Sequence, residues 1–99
     1  MTIYEHTTSL TTASGSVNST TLRVMGGLCR QILVRANTST TVFRFDMQDD
    51  NSVTRLNFGF HTGELNETDL AFPMVGKYTL RVTNASPDDT FRILVAVEE

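Results

Sequence analysis

The chain has 99 residues, eight Lys and Arg against eleven Asp and Glu, and a net charge of −3. That length makes one domain, burying roughly 60–68% of its unfolded surface, enough for a two-layer core but too little for a core plus a deep enzyme cleft. The acidic balance argues against nucleic-acid binding, where a basic stripe is the usual footprint. No run approaches the length of a membrane span, and one cysteine, Cys29, excludes an internal disulfide. Met1 to His6 has no basic segment followed by an apolar run, so the expectation is a protein made and folded in a cytoplasm.

Residues 1–19 differ from the rest. Ile3, Tyr4, Leu10 and Val17 stand in a Ser/Thr/Gly background with too few apolar groups to order it alone. The segment reads as an edge strand over Thr2–Thr8 with a flexible link through Ala13–Ser16, or as an extended arm ordered on a neighbouring molecule.

Strand signals then follow closely. Thr20–Met25 alternates, with Leu22 and Val24 on one face, and Gly26-Gly27 marks a hairpin or bulge. Leu28–Ala36 places Leu28, Arg30, Ile32 and Val34 on one face and Cys29, Gln31, Leu33 and Arg35 on the other. Thr40–Met47 sets Phe43, Phe45 and Met47 against Val42, Arg44 and Asp46. Val53–Phe60 puts Leu56, Phe58 and Phe60 together. Glu64–Leu70 has the makings of one helical turn capped by Thr62, and Ala71–Val75, interrupted by Pro73, reads as an edge strand or covering loop. Gly76–Glu99 reads as a β-hairpin: Tyr78, Leu80 and Val82, a turn at Asn84–Asp89, then Phe91, Ile93, Val95 and Val97.

Six to eight short strands without a helix of period 3.6 predict an all-β fold, an antiparallel, jelly-roll-like β-sandwich over residues 20–99 behind the N-terminal arm. The expected core is Leu22, Val24, Ile32, Val34, Phe43, Phe45, Leu56, Phe58, Tyr78, Leu80, Val82, Phe91, Ile93 and Val95.

Chemistry-bearing patterns are sparse. Cys29 with His6 or His61 is the one conceivable thiol–base pair, and a small buried cysteine is the simpler reading. Asp46, Asp49, Asp50 and Asn51, and likewise Asp88-Asp89, offer oxygens for calcium but read first as solvated acidic turns. No metal or cofactor is implied. Seven of the eight basic residues are Arg. Six of them, Arg23, Arg35, Arg44, Arg55, Arg81 and Arg92, fall at outward strand positions. They form a charged row for a partner if the strands adjoin, or ordinary cross-strand pairs with Asp46, Glu64 or Glu67. Leu33, Leu94 and Ala96, also nominally outward, hint at a contact patch. The candidate interface is therefore Ile3, Tyr4, Leu10 and these six arginines.

Gly76-Lys-Tyr-Thr-Leu-Arg-Val82 and Phe91-Arg-Ile-Leu-Val95 resemble the closing strands of jelly-roll modules of the lectin and pre-peptidase C-terminal type. The whole chain, short, Thr-rich and with an arm before its sandwich, is similar in architecture to small bacteriophage virion proteins of the head decoration, or cement, type. The resemblance implies a structural, non-enzymatic virion protein, assembled in a host cytoplasm. It would bind the major capsid protein or another virion protein, associate as a dimer or trimer, and engage neither nucleic acid nor membrane. The alternative is a small carbohydrate-binding module, with Tyr4 and Phe72 as the exposed rings. An enzyme is the third reading.

Overall fold

The longest strand sets the architecture. Val17–Ala36 forms one 20-residue strand, which at about 3.3 Å per residue would stretch roughly 65 Å if straight. The longest dimension of the molecule is 38 Å, so the strand bends. It does so at Gly26-Gly27, where the register to its neighbour shifts. A Cβ on Gly27 would lie 2.6 Å from the Glu98 carbonyl oxygen and 2.8 Å from Val97 Cγ1, and its φ is +149°. Only glycine fits such an approach without displacing the neighbouring strand.

The computed structural model describes residues 2–12, 17–83 and 89–99. Its strands are β1 (Ile3–Thr11), β2 (Val17–Ala36), β3 (Val42–Gln48), β4 (Thr54–Thr62), β5 (Glu64–Glu67), β6 (Phe72–Thr83) and β7 (Thr90–Glu98). They form one sheet in the order β1-β7-β2-β6-β3-β4, with β5 on β2, and every pairing is antiparallel. The all-β antiparallel class is therefore as expected.

The sheet folds over itself. The first part of β2, Val17–Val24, pairs with β6, and the last part, Leu28–Ala36, pairs with β7. One half is β1, β7, late β2 and β5; the other is early β2, β6, β3 and β4. Phe43 on β3 and Phe91 on β7 meet edge to face with centroids 5.0 Å apart. In a flat sheet these strands would be about 14 Å apart, with β2 and β6 between them. The core lies between the halves. Eleven of the fourteen expected core residues are buried there, and Leu22, Leu56 and Phe58 are half-buried against them. Cys29, Ala36, Met47, Leu65, Met74 and Val97 complete it.

Several local expectations are corrected. The two strands of Gly76–Glu99 form, but they are not a hairpin: β2 lies between β6 and β7, and each belongs to a different half. Thr20–Met25 and Leu28–Ala36 are one strand, not two. Glu64–Glu67 is a strand, not a helical turn, because Leu65 sits opposite Val34 and is buried. Thr62 is in β4 and caps nothing. Ala71–Val75 largely opens β6.

Two bulges in β2, one at the bend and one between Cys29 and Gln31, each reverse the facing of the strand. Cys29 therefore points inward like Val24 and Ile32, against simple alternation. Arg30 falls at the second bulge and pairs with Glu98 rather than sharing the face of Ile32. Phe60 is likewise turned out, 60% exposed. Gly59 before it takes φ +72°, and the β3–β4 register slips between Arg44 and Asp46.

β2 begins at Val17, so the boundary expected after residue 19 falls within a strand. Ala13–Ser16, the expected link, and residues 84–88, most of the expected final turn, lie outside the described residues.

Candidate interaction surface

β1 closes one end of the sheet and pairs with β7 alone, in unbroken register from Ile3 opposite Glu98 to Thr11 opposite Thr90. The Glu99 amide donates to the Thr2 carbonyl at 2.9 Å, and the Thr12 amide to the Asp89 carbonyl at 2.8 Å. Residues of an antiparallel strand direct both backbone groups to one side, alternating along the chain. Even-numbered residues of this segment therefore serve β7. Ile3, Glu5, Thr7, Ser9 and Thr11 direct their N–H and C=O groups away from the sheet. Natural edges are usually blunted by Pro, Lys or a bulge. β1 has none of these and one exposed charge, Glu5, whereas the β4 edge has Arg55 and a disrupted register.

Sequence pattern also explains the side chains. His6, Thr8 and Leu10 turn inward and are half-buried, and Leu10 packs on the core. Ile3 and Tyr4 are exposed near the bend, since Ile3 faces Glu98 and Glu98 faces Leu28. Met25 and Val75, 87% and 72% exposed, flank the bend on β2 and β6. The bend thus carries exposed apolar side chains on β2 and β6, and Ile3 and Tyr4 are exposed at the end of β1. Met25 and Val75 are not in the candidate set; period-two reading through a bulge assigns them no face.

The arginines do not form one row. Arg35 and Arg92 are direct cross-strand neighbours on the outer face of one half. There they adjoin the Leu33–Leu94 pair in an open depression of about 580 Å³ that reaches Thr7 and Ser9 of β1. Arg35 is held by Glu64 at 2.7 Å; Arg92 has no ion pair among the described residues. Arg23, Arg44 and Arg81 lie on the other half. Arg81 clamps the buried Asp46, and Arg23 stands opposite Lys77. Arg44 lies 5.9 Å over the exposed ring of Phe60. Arg55 is 3.9 Å from Asp49 at the β3–β4 turn. The hydrogen bond that Arg81 donates to Asp46 holds the guanidinium above its ordinary pKa, against a smaller opposing effect of burial.

The remaining candidates serve the fold. Burial pushes the Cys29 thiol up to about 11, the opposite of the shift that activates a nucleophile. Its Sγ contacts the Gln31 carbonyl, and His61 is hydrogen-bonded to the Phe58 carbonyl at 3.0 Å. Asp49 accepts from the amides of Asn51 and Val53, which makes the acidic segment an Asx-type turn. Asp89 is buried where β1 ends. Thr41 Oγ1 donates to its Oδ2 at 2.5 Å, its own amide donates to Thr12 Oγ1, and Oδ1 has no partner among the described residues. No group of three or more His, Cys, Asp or Glu suited to a metal occurs among the described residues. Phe72, expected exposed, is half-buried and edge-on to Tyr78.

Neither a protein-family model nor a curated protein matches the sequence.

Proposed function

We propose that this protein is a non-enzymatic structural component that acts by joining protein surfaces, of the kind that decorates and stabilises a bacteriophage head. Its partner is the major capsid protein or another virion protein. The observation that carries the reading is the β1 edge, a strand in unbroken register with β7 whose outward backbone groups have no strand partner among the described residues. An added strand draws affinity from main-chain hydrogen bonds and specificity from flanking side chains. Ile3 and Tyr4 supply apolar contact on it. The folded-over sheet holds both features on one rigid body.

The test is mass spectrometry of particles purified by density gradient from cells producing the virus that encodes the chain. Co-migration of the chain with the capsid protein at fixed stoichiometry is the expected result. Its absence from intact particles overturns the reading.

One observation favours the carbohydrate-binding alternative: the exposed Phe60 ring with Arg44 across it is a small stacking platform. A glycan array on which binding is lost in Phe60→Ala would shift the reading to that alternative.

A further inference from the structure

We propose that the β1 edge pairs with β1 of a second copy of this chain, antiparallel about a two-fold axis centred on Thr7. This rests on the reading of β1 as a docking edge and names its occupant. A two-fold axis perpendicular to a sheet preserves the faces of both strands, so residues of like parity stand opposite each other. Centring on His6, Thr7 or Thr8 keeps most of the strand paired. Each brings the outward backbone groups of the odd-numbered residues into one ladder.

Charge selects among the three. Within one chain Ser9 sits beside Arg92, and both are exposed on the outer face. Neither Glu5 nor Arg92 has an ion pair among the described residues. Centring on Thr7 places Glu5 of the second copy opposite Ser9, so Arg92, Ser9 and that Glu5 follow one another across three strands. Their outer two Cα atoms are then roughly 10 Å apart, a span that extended Arg and Glu side chains bridge over a small serine. Symmetry forms the pair twice. Centring on His6 puts Ile3 of the second copy there, and centring on Thr8 puts Thr7, leaving both charges unmatched. The Thr7-centred register also sets Tyr4 against Leu10 of the second copy, covering a ring that is half exposed in the single chain.

The test is light scattering across a concentration series on the full chain, with circular dichroism to confirm the fold of each variant. Wild type is expected to dimerise. Thr7→Pro removes an outward N–H without touching a β7 hydrogen bond, and is expected to be monomeric. Glu5→Arg and Arg92→Glu are each expected to weaken the dimer about tenfold or more, and the double reversal to restore most of the loss. The charge reversals keep the test alive if Thr7→Pro folds poorly. A wild type that stays monomeric overturns the proposal, as does a double reversal no tighter than the single changes. A monomeric chain found on purified particles would refute this dimer and leave the decoration reading standing. A charge-swappable dimer absent from particles would do the reverse.

Discussion

Arg81 and Asp46 face each other across β6 and β3 as a two-pronged pair, with Nε to Oδ1 at 2.7 Å and Nη2 to Oδ2 at 2.9 Å. Asp46 alternates outward with Arg44, yet it is only 4% exposed. The carboxylate is therefore buried, while the Arg81 side chain keeps partial contact with solvent. Arg81→Ala leaves that carboxylate uncompensated and is expected to destabilise by about 2–4 kcal/mol. Arg35→Ala breaks the exposed pair with Glu64 and is expected to cost less than about 1 kcal/mol. Urea unfolding of the two variants measures the difference.

The bend predicts a contrast between adjacent glycines. Gly27→Ala forces a Cβ onto the Glu98 carbonyl and the Val97 side chain, and is expected to cost about 2–4 kcal/mol. Gly26→Ala meets no atom within 4 Å and carries only the backbone cost, about 1–2 kcal/mol. Thermal unfolding of both orders them.

Backbone parity in β1 gives a second contrast. Thr8→Pro removes a donor to β7 and is expected to destabilise by about 1–3 kcal/mol. Thr7→Pro removes an outward donor, as proline at a free edge allows, and is expected to leave monomer stability nearly unchanged. Denaturation at dilution sufficient to keep the chain monomeric checks it.

Cys29 gives a pH dependence. Its thiol is raised from 9.0 to about 11, chiefly by burial, and contact with the Gln31 carbonyl opposes this slightly. The folded state holds the proton more tightly than the unfolded chain. The contribution is therefore full below about pH 9 and is lost as pH rises toward 11. The loss is on the order of 2–3 kcal/mol. Cys29→Ala is expected to lack this alkaline limb, seen by comparing unfolding free energies from pH 8 to 11.

Period two was enough to read much of the core. Phe43, Phe45, Tyr78, Leu80, Phe91 and Ile93 alternate cleanly because their strands are regular where these residues sit. Pairing was not readable, because alternation shows that a segment is a strand and not which strand adjoins it. The two closing strands look like a hairpin, yet β2 comes between them. Bulges hid Cys29 and Phe60, since one inserted residue reverses every facing beyond it. Alternation places each arginine outward singly, but the fold in β2 divides them between two faces. The free groups of Glu5, Thr7 and Ser9 had no signal in side-chain pattern at all; only the hydrogen-bond parity to β7 identifies them.

The most direct test of the account is amide hydrogen exchange, residue by residue, in β1 of the full chain at low and high concentration. In the monomer Thr8 and Leu10, bonded to β7, should exchange slowly, and Glu5, Thr7 and Ser9 quickly. At concentrations where light scattering reports assembly, the latter three should become protected together. Fast exchange at those three positions in the assembled state would contradict a docking role for the β1 edge.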